Sequence, residues 1–125
     1  MADILIVEDE LALVDVIRAV LTADGHNVLH AYDGRTGLDI ALQRRPALII
    51  ADQMLPVMTG LELCRSLKEA RLDPPIPFLL MTAGNVPLED TCPDNTLRKP
   101  FSIEELQHTV QGVLEAHAAP PRFFG

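Results

Sequence analysis

Ile4-Leu5-Ile6-Val7-Glu8-Asp9-Glu10 changes character within a single residue, from four apolar side chains to three acidic ones. The apolar part is too short for a helix and has no polar face. That is how a strand reads when helices cover both sides of its sheet. The pattern recurs further along the chain. Ala47-Leu48-Ile49-Ile50-Ala51 is a second buried-looking strand and ends on Asp52, and Phe78-Leu79-Leu80-Met81 is another and ends on Thr82. Asn27-Val28-Leu29-His30 makes a weaker strand, and Asn95-Thr96-Leu97 a short fifth one shortly before Lys99-Pro100.

Between these runs the hydrophobic period lengthens. Leu13, Val14, Ile17, Val20 and Leu21 follow the i, i+3, i+4 rhythm of a helix that Gly25 stops after Asp24. Asp33 is placed to cap a helix carrying Leu38, Ala41 and Leu42, which Pro46 ends. Pro56 and Gly60 punctuate a loop, after which Leu61, Cys64 and Leu67 or Lys68 share a helical face. Pro74, Pro75 and Pro77 form an extended connector into the fourth strand. Ser102, with Glu105 three residues later, forms a capping-box pattern for a last helix striped by Ile103, Leu106, Val110, Val113 and Leu114. Strands alternating with helices predict an α/β domain, a doubly wound parallel sheet with helices on both faces.

The 125 residues suit one core, and 48% of them are hydrophobic. Disorder and a membrane span are excluded, the latter because no apolar run approaches the roughly 20 residues that a bilayer needs. A net charge of −8 argues against direct nucleic-acid binding, which needs a basic face, and allows a cation or a basic partner. Met1-Ala2-Asp3 lacks the basic start and apolar core of a secretory signal, so a cytoplasmic setting is expected. Cys64 and Cys92 match neither a disulfide framework nor a zinc knuckle, and are expected to be two thiols in a reducing compartment. Ala118-Ala119-Pro120-Pro121 marks the end of the fold. Residues 1–118 are expected to form the domain and 119–125 a tail or the start of a linker, with Phe123 and Phe124 unexplained.

In an open parallel sheet, function collects beyond the carboxyl ends of the strands, where strand order reverses. Glu8 and Asp9 follow the first strand, Asp52 the third, Thr82 the fourth and Lys99 the fifth. Carboxylates converging from different strands repel one another unless a cation or proton intervenes. Hard oxygen ligands with vacant positions suit Mg2+. A lysine and a hydroxyl opposite would complete a pocket for a phosphoryl group, and a carboxylate can itself be the nucleophile that forms an acyl phosphate.

The segments ILIVEDE, LIIADQMLP, FLLMTAG and LRKPFS resemble the receiver (CheY-like) domain of bacterial two-component response regulators, over about residues 2–117. The resemblance implies a flavodoxin-like sheet of five strands in the order 2-1-3-4-5. Asp52 would then accept a phosphoryl group from a sensor histidine kinase or a histidine phosphotransfer protein. Asp9 would bind Mg2+ directly, Glu8 through water or a weaker contact, and the main-chain carbonyl of Met54 would add a ligand. Lys99 would pair with Asp52 and then with the phosphoryl oxygens, and Thr82 would move towards the phosphoryl group as the switch. Pro100 would hold the turn that aims Lys99, through a cis peptide bond. A downstream output protein or domain is implied, a homodimer is open, and the only catalysis expected is the domain's own phosphorylation and dephosphorylation.

Two features depart from the family pattern. AGNVPLEDTCPDNTLR, residues 83–98, is short for the helix the family carries between its fourth and fifth strands, and Pro87 and Pro93 leave room for roughly one or two turns. The fourth helix is therefore expected to be shortened or missing, replaced by a mobile loop. At Thr96, three residues before the lysine, these domains often carry an aromatic ring that rotates inwards; here there is none. Met54 and Gly84, at places where side chains often tune phosphoryl loss, offer neither amide nor acid.

Each residue also has a plainer reading. Acids before a helix favour its dipole, which accounts for Glu10 and, in part, Glu8. Thr82 alone could be a strand-end hydroxyl and Lys99 alone a solvated charge. Asp52 fits no such account, because it ends an apolar strand where an unpaired carboxylate is costly. A pseudo-receiver that keeps the site but signals without phosphate is the alternative function. An aspartyl-phosphate hydrolase of the haloacid-dehalogenase type is a third, disfavoured because no Asp stands at position 54.

Overall fold

In a computed structural model the described residues, 2–84 and 91–118, form a five-stranded parallel sheet with helices on both faces. The strands are β1 (Asp3–Val7), β2 (Asn27–Ala31), β3 (Leu48–Asp52), β4 (Phe78–Thr82) and β5 (Asn95–Arg98). The helices are α1 (Leu11–Ala23), α2 (Gly34–Arg44), α3 (Gly60–Glu69) and α4 (Ile103–Ala116). Strand order is β2-β1-β3-β4-β5, as the resemblance implies. The chain steps from β1 outward to β2 and returns to β3 on β1's other side, so order reverses between β1 and β3.

Two separate cores explain why the central strands are apolar throughout. Ile4, Ile6, Leu48, Ile50, Leu79 and Met81 point to one face and pack under α1 and α4, against Ile17, Leu21, Leu106 and Val110. Leu5, Val7, Ile49, Ala51, Phe78 and Leu80 point to the other and pack under α2 and α3, against Leu38, Ala41, Leu63 and Leu67. Each of the larger of these side chains, fully buried, contributes about 1.5–3 kcal/mol. The alternation also fixes register, because a one-residue slip would exchange the two cores.

The helix ends follow their local chemistry. Asp33 caps α2 by accepting from the Thr36 N–H at 2.8 Å, and Ser102 with Glu105 closes the expected capping box on α4. A second capping box, Thr59 with Glu62 on α3, belongs to a loop in which the sequence reading saw only Pro56 and Gly60. Two apolar assignments need correction, and one open alternative is resolved. Leu42 is 38% and Ile103 54% exposed, each lying at the edge of its helix's buried stripe. On α3 the inward residue is Leu67, and Lys68 is exposed.

Residues 83–84 and 91–94, which flank the connection from β4 to β5, contain no helix. The rest of the expected loop, 85–90 with Pro87, lies outside the described residues, as does the 119–125 tail with Phe123 and Phe124. Among the described residues no helix is long and apolar enough to cross a membrane.

The turn from β3 into α3 is closely packed. A Cβ at Gly60 would lie 2.5 Å from the Asp52 carbonyl oxygen and 2.6 Å from Leu80 Cδ1. Val57, with φ 72°, holds a β-branched residue in the left-handed region while its side chain is 82% exposed. Opposite effects are expected on either side of this turn. Gly60→Ala should cost about 1–3 kcal/mol through overpacking against backbone. Val57→Gly should add about 1 kcal/mol by relieving strain without losing packing. Urea denaturation of both variants checks the pair, and a destabilised Val57→Gly would remove the strain account.

Candidate functional site

Glu8 is the first residue past β1, and the sheet carries it into the interior, where it is 1% exposed. Its N–H donates to the Ala31 carbonyl at 3.0 Å, and its own carbonyl meets His30 Nε2 at 3.0 Å. Its side chain turns back on itself, with Oε2 accepting from the N–H groups of Asp9 at 2.9 Å and Glu10 at 3.2 Å. The helix-dipole account therefore covers only the Glu8 bond to the N-cap N–H of α1. Glu8 itself lies three residues before α1 starts and is buried rather than solvated. Glu10, exposed at the N-cap position, keeps that account.

Asp52 is the last residue of β3 and is 7% exposed. The Lys99 Nζ lies 3.0 Å from Asp52 Oδ2 and 3.0 Å from Glu8 Oε1, so one ammonium bridges two buried carboxylates from different strands. Asp52 Oδ1 accepts from the Met54 N–H at 3.3 Å. Lys99 is aimed by its own backbone, whose N–H donates to the Thr82 carbonyl at 2.8 Å, and by the cis peptide bond to Pro100 that the resemblance implies. Burial pushes the Glu8 carboxyl above its ordinary range, and the Asp52 charge adds to this, against the opposing bonds from Lys99 and the Glu10 N–H. Burial disfavours the Lys99 charge, but its bonds to Asp52 and Glu8 outweigh that and raise its pKa.

Thr82 ends β4, buried at the same edge of the sheet, and its Oγ1 accepts from the Gly84 N–H at 3.1 Å. Thr96 sits on β5 paired with Leu80, with an exposed side chain and no ring to bury. The Met54 side chain is 75% exposed beside the site. His30, behind Glu8, is the supporting residue that the sequence did not reveal. Its only signal was its place at the end of the strand next to β1.

Glu8, Asp9 and Asp52 each offer a carboxylate oxygen, all within 4.8 Å of one another. With Lys99 the set keeps two uncompensated negative charges. An all-oxygen, electronegative, partly open cluster fits a small hard divalent cation. Both oxygens of Glu8 and both of Asp52 are already engaged, so Asp9, exposed at the same edge, is the carboxylate most open to a cation.

A strand-order reversal lined by paired acids, a strand-end aspartate and a bridging lysine is the arrangement of a receiver-type fold. The model of the response regulator receiver domain matches residues 4–111, and the chain belongs to that family. Response regulator ArlR of Staphylococcus aureus is 39% identical over 119 residues, which is 91% of this chain and 53% of that protein. The chain thus spans about half the length of the curated relatives it matches. The chemotaxis response regulator CheY4 of Vibrio cholerae superposes with a TM-score of 0.83 at 31% identity, covering 90% of this chain and 98% of that one. The receiver domain of sensor histidine kinase PA1611 from Pseudomonas aeruginosa, solved with a magnesium ion coordinated in its active-site cleft, gives 0.81 at 28%, covering 91% and 98%. The domain is thus a response regulator receiver of two-component signalling.

The raised Glu8 pKa makes a signed prediction. A group that binds its proton more tightly folded than unfolded stabilises the fold fully below its unfolded pKa, and loses that contribution as pH rises through the folded one. In magnesium-free buffer, wild type should therefore lose ground to Glu8→Gln as pH climbs from about 4.5 through the raised value. Urea melts of both proteins at stepped pH measure the difference. A difference that does not vary with pH would mean that burial leaves the Glu8 proton affinity unchanged.

Proposed function

We propose that Asp52 is the phosphoryl acceptor, taking the group from a phosphohistidine on a sensor kinase or phosphotransfer protein. The observation that carries this reading is the shared ammonium. Lys99 holds one oxygen of a buried strand-end aspartate at 3.0 Å, ready to neutralise charge that arrives there. An Asp52 oxygen attacks phosphorus, the P–N bond breaks, the imidazole leaves and an acyl phosphate remains. Asp9, Asp52, the Met54 carbonyl and, more weakly, Glu8 would hold Mg2+. The ion, when bound, screens the negative charge of the transferring phosphoryl group. Lys99 follows that charge from the carboxylates onto the phosphoryl oxygens.

Thr82 is the switch in this reading. Its hydroxyl accepts from the Gly84 N–H through a lone pair and still has an O–H to donate to a phosphoryl oxygen, so a move of Thr82 towards that group would draw residues 83–84 along with it. Chemistry is confined to gain and loss of the domain's own phosphoryl group, and the signal passes to a downstream output protein or domain. A second copy of the chain remains an admissible partner.

Incubation with Mg2+ and acetyl phosphate or phosphoramidate should add one phosphoryl group by intact mass. The gain should vanish in Asp52→Asn or with a chelator, and Asp9→Asn should raise the Mg2+ concentration needed. No gain on folded protein, from small donors and from a cognate kinase alike, would return the pseudo-receiver reading.

A further inference from the structure

Cys64 and Cys92 lie 28 residues apart in the chain, yet the Cys92 thiol donates to Cys64 Sγ at 2.7 Å. Both sulfurs are placed by the fold. Cys64 is buried on the inward face of α3, among Leu61, Leu63 and Leu67. Cys92 packs partly buried against the same core and stands two residues before Asp94. Asp94 is pinned to β4 twice, by its N–H donating to the Phe78 carbonyl at 2.9 Å and by its Oδ2 accepting from the Phe78 N–H at 2.7 Å. Its other oxygen pairs with His117 Nε2 at 3.2 Å. The meeting of the two thiols is thus held from α3 on one side and from an anchored strand entry on the other.

We propose that this pair is an oxidation site, in which Cys64 and Cys92 form a reversible intramolecular disulfide with a low-molecular-weight disulfide as oxidant. The Cys92 thiolate, the more accessible, attacks the oxidant, forming a mixed disulfide and releasing one small thiolate. The Cys64 thiolate then attacks the Cys92 sulfur and expels the second. Two small thiolates take up the two cysteine protons, so two protein thiols are oxidised and one small disulfide is reduced to two thiols. Approach by well under an ångström closes the bond. Burial, with the adjacent Cys92, pushes the Cys64 thiol far above its ordinary range, in keeping with first attack by the more accessible Cys92. The bond would close a ring of chain running through the end of α3, all of β4 and Thr82. It would tie the far end of the β4–β5 connection to α3.

The test needs neither Mg2+ nor a phosphoryl donor, so it stands or falls apart from the phosphoacceptor reading. The reduced chain is incubated folded with glutathione disulfide, blocked with N-ethylmaleimide and digested with trypsin without reductant. Peptides 45–65 and 72–98 should be joined, in a monomer lighter by two hydrogens that dithiothreitol restores. The melting temperature should rise by on the order of 5–10 °C. In Cys64→Ala, a glutathione adduct should accumulate on Cys92 in place of the bond. Two alkylated thiols, a glutathione adduct as the wild-type end product, or a disulfide between two chains would each overturn the proposal. The wild-type peptide map decides the matter even if the variant fails to fold.

Discussion

The Lys99 ammonium stands between two carboxylates that the fold has taken out of water, one after β1 and one at the end of β3. Removing it would leave Glu8 and Asp52 facing each other with only backbone N–H groups to offset their charge. Taking ions from water costs several kcal/mol each, and an apolar replacement commonly packs at least as well. Stability alone therefore does not account for the arrangement. It does account for a place where added positive charge is welcome and where an arriving anion meets a ready ammonium. The frame tolerates it because β1 and β3 are locked to each other through both cores, so repulsion at their tips cannot spread the sheet.

Lys99 is also mechanically joined to Thr82. The Lys99 N–H donates to the Thr82 carbonyl, while the Thr82 hydroxyl accepts from Gly84. The charge of the site and the polar group beside it thus depend on one short edge strand, of which only Leu97 is buried. Such a strand enters the core through Leu97 alone, so it can shift with less disturbance than a central strand. Movement at the site is cheapest at β5 and costly at β1 and β3.

The fold was legible because the central strands are buried on both faces and so carry no polar interruption. The site was legible because its charged residues follow such strands immediately: Glu8 after Val7, and Asp52 after Ala51. Where burial is partial, sequence lost its grip. Leu42 and Ile103 fit the helical period but lie at the margin of the stripe, and only the neighbouring helix decides which side of that margin is wet. The Thr59–Glu62 box was hidden inside a loop whose proline and glycine drew the reading first. His30 and the Cys64–Cys92 contact are tertiary facts. They depend on which strand lies beside β1 and on how the chain re-enters β5, neither of which leaves a local period.

The same anchoring that brings Cys92 to Cys64 constrains how far a change at Thr82 can travel. Asp94 is held to Phe78 by two hydrogen bonds and to α4 through His117. A displacement begun at residues 83–84 meets that anchor before it reaches Asn95, and passing further along the backbone would require those bonds to break. Thr96 supplies no ring whose burial could repay the loss. The other route runs through Lys99, whose N–H is bonded to Thr82 and whose chain leads directly to the Ser102 cap of α4. Rearrangement at Thr82 therefore reaches α4 from its N-terminal end, through the lysine turn, more cheaply than through the entry to β5. A change at the site would therefore be felt first around the β4 exit, the Lys99–Pro100 turn and the start of α4.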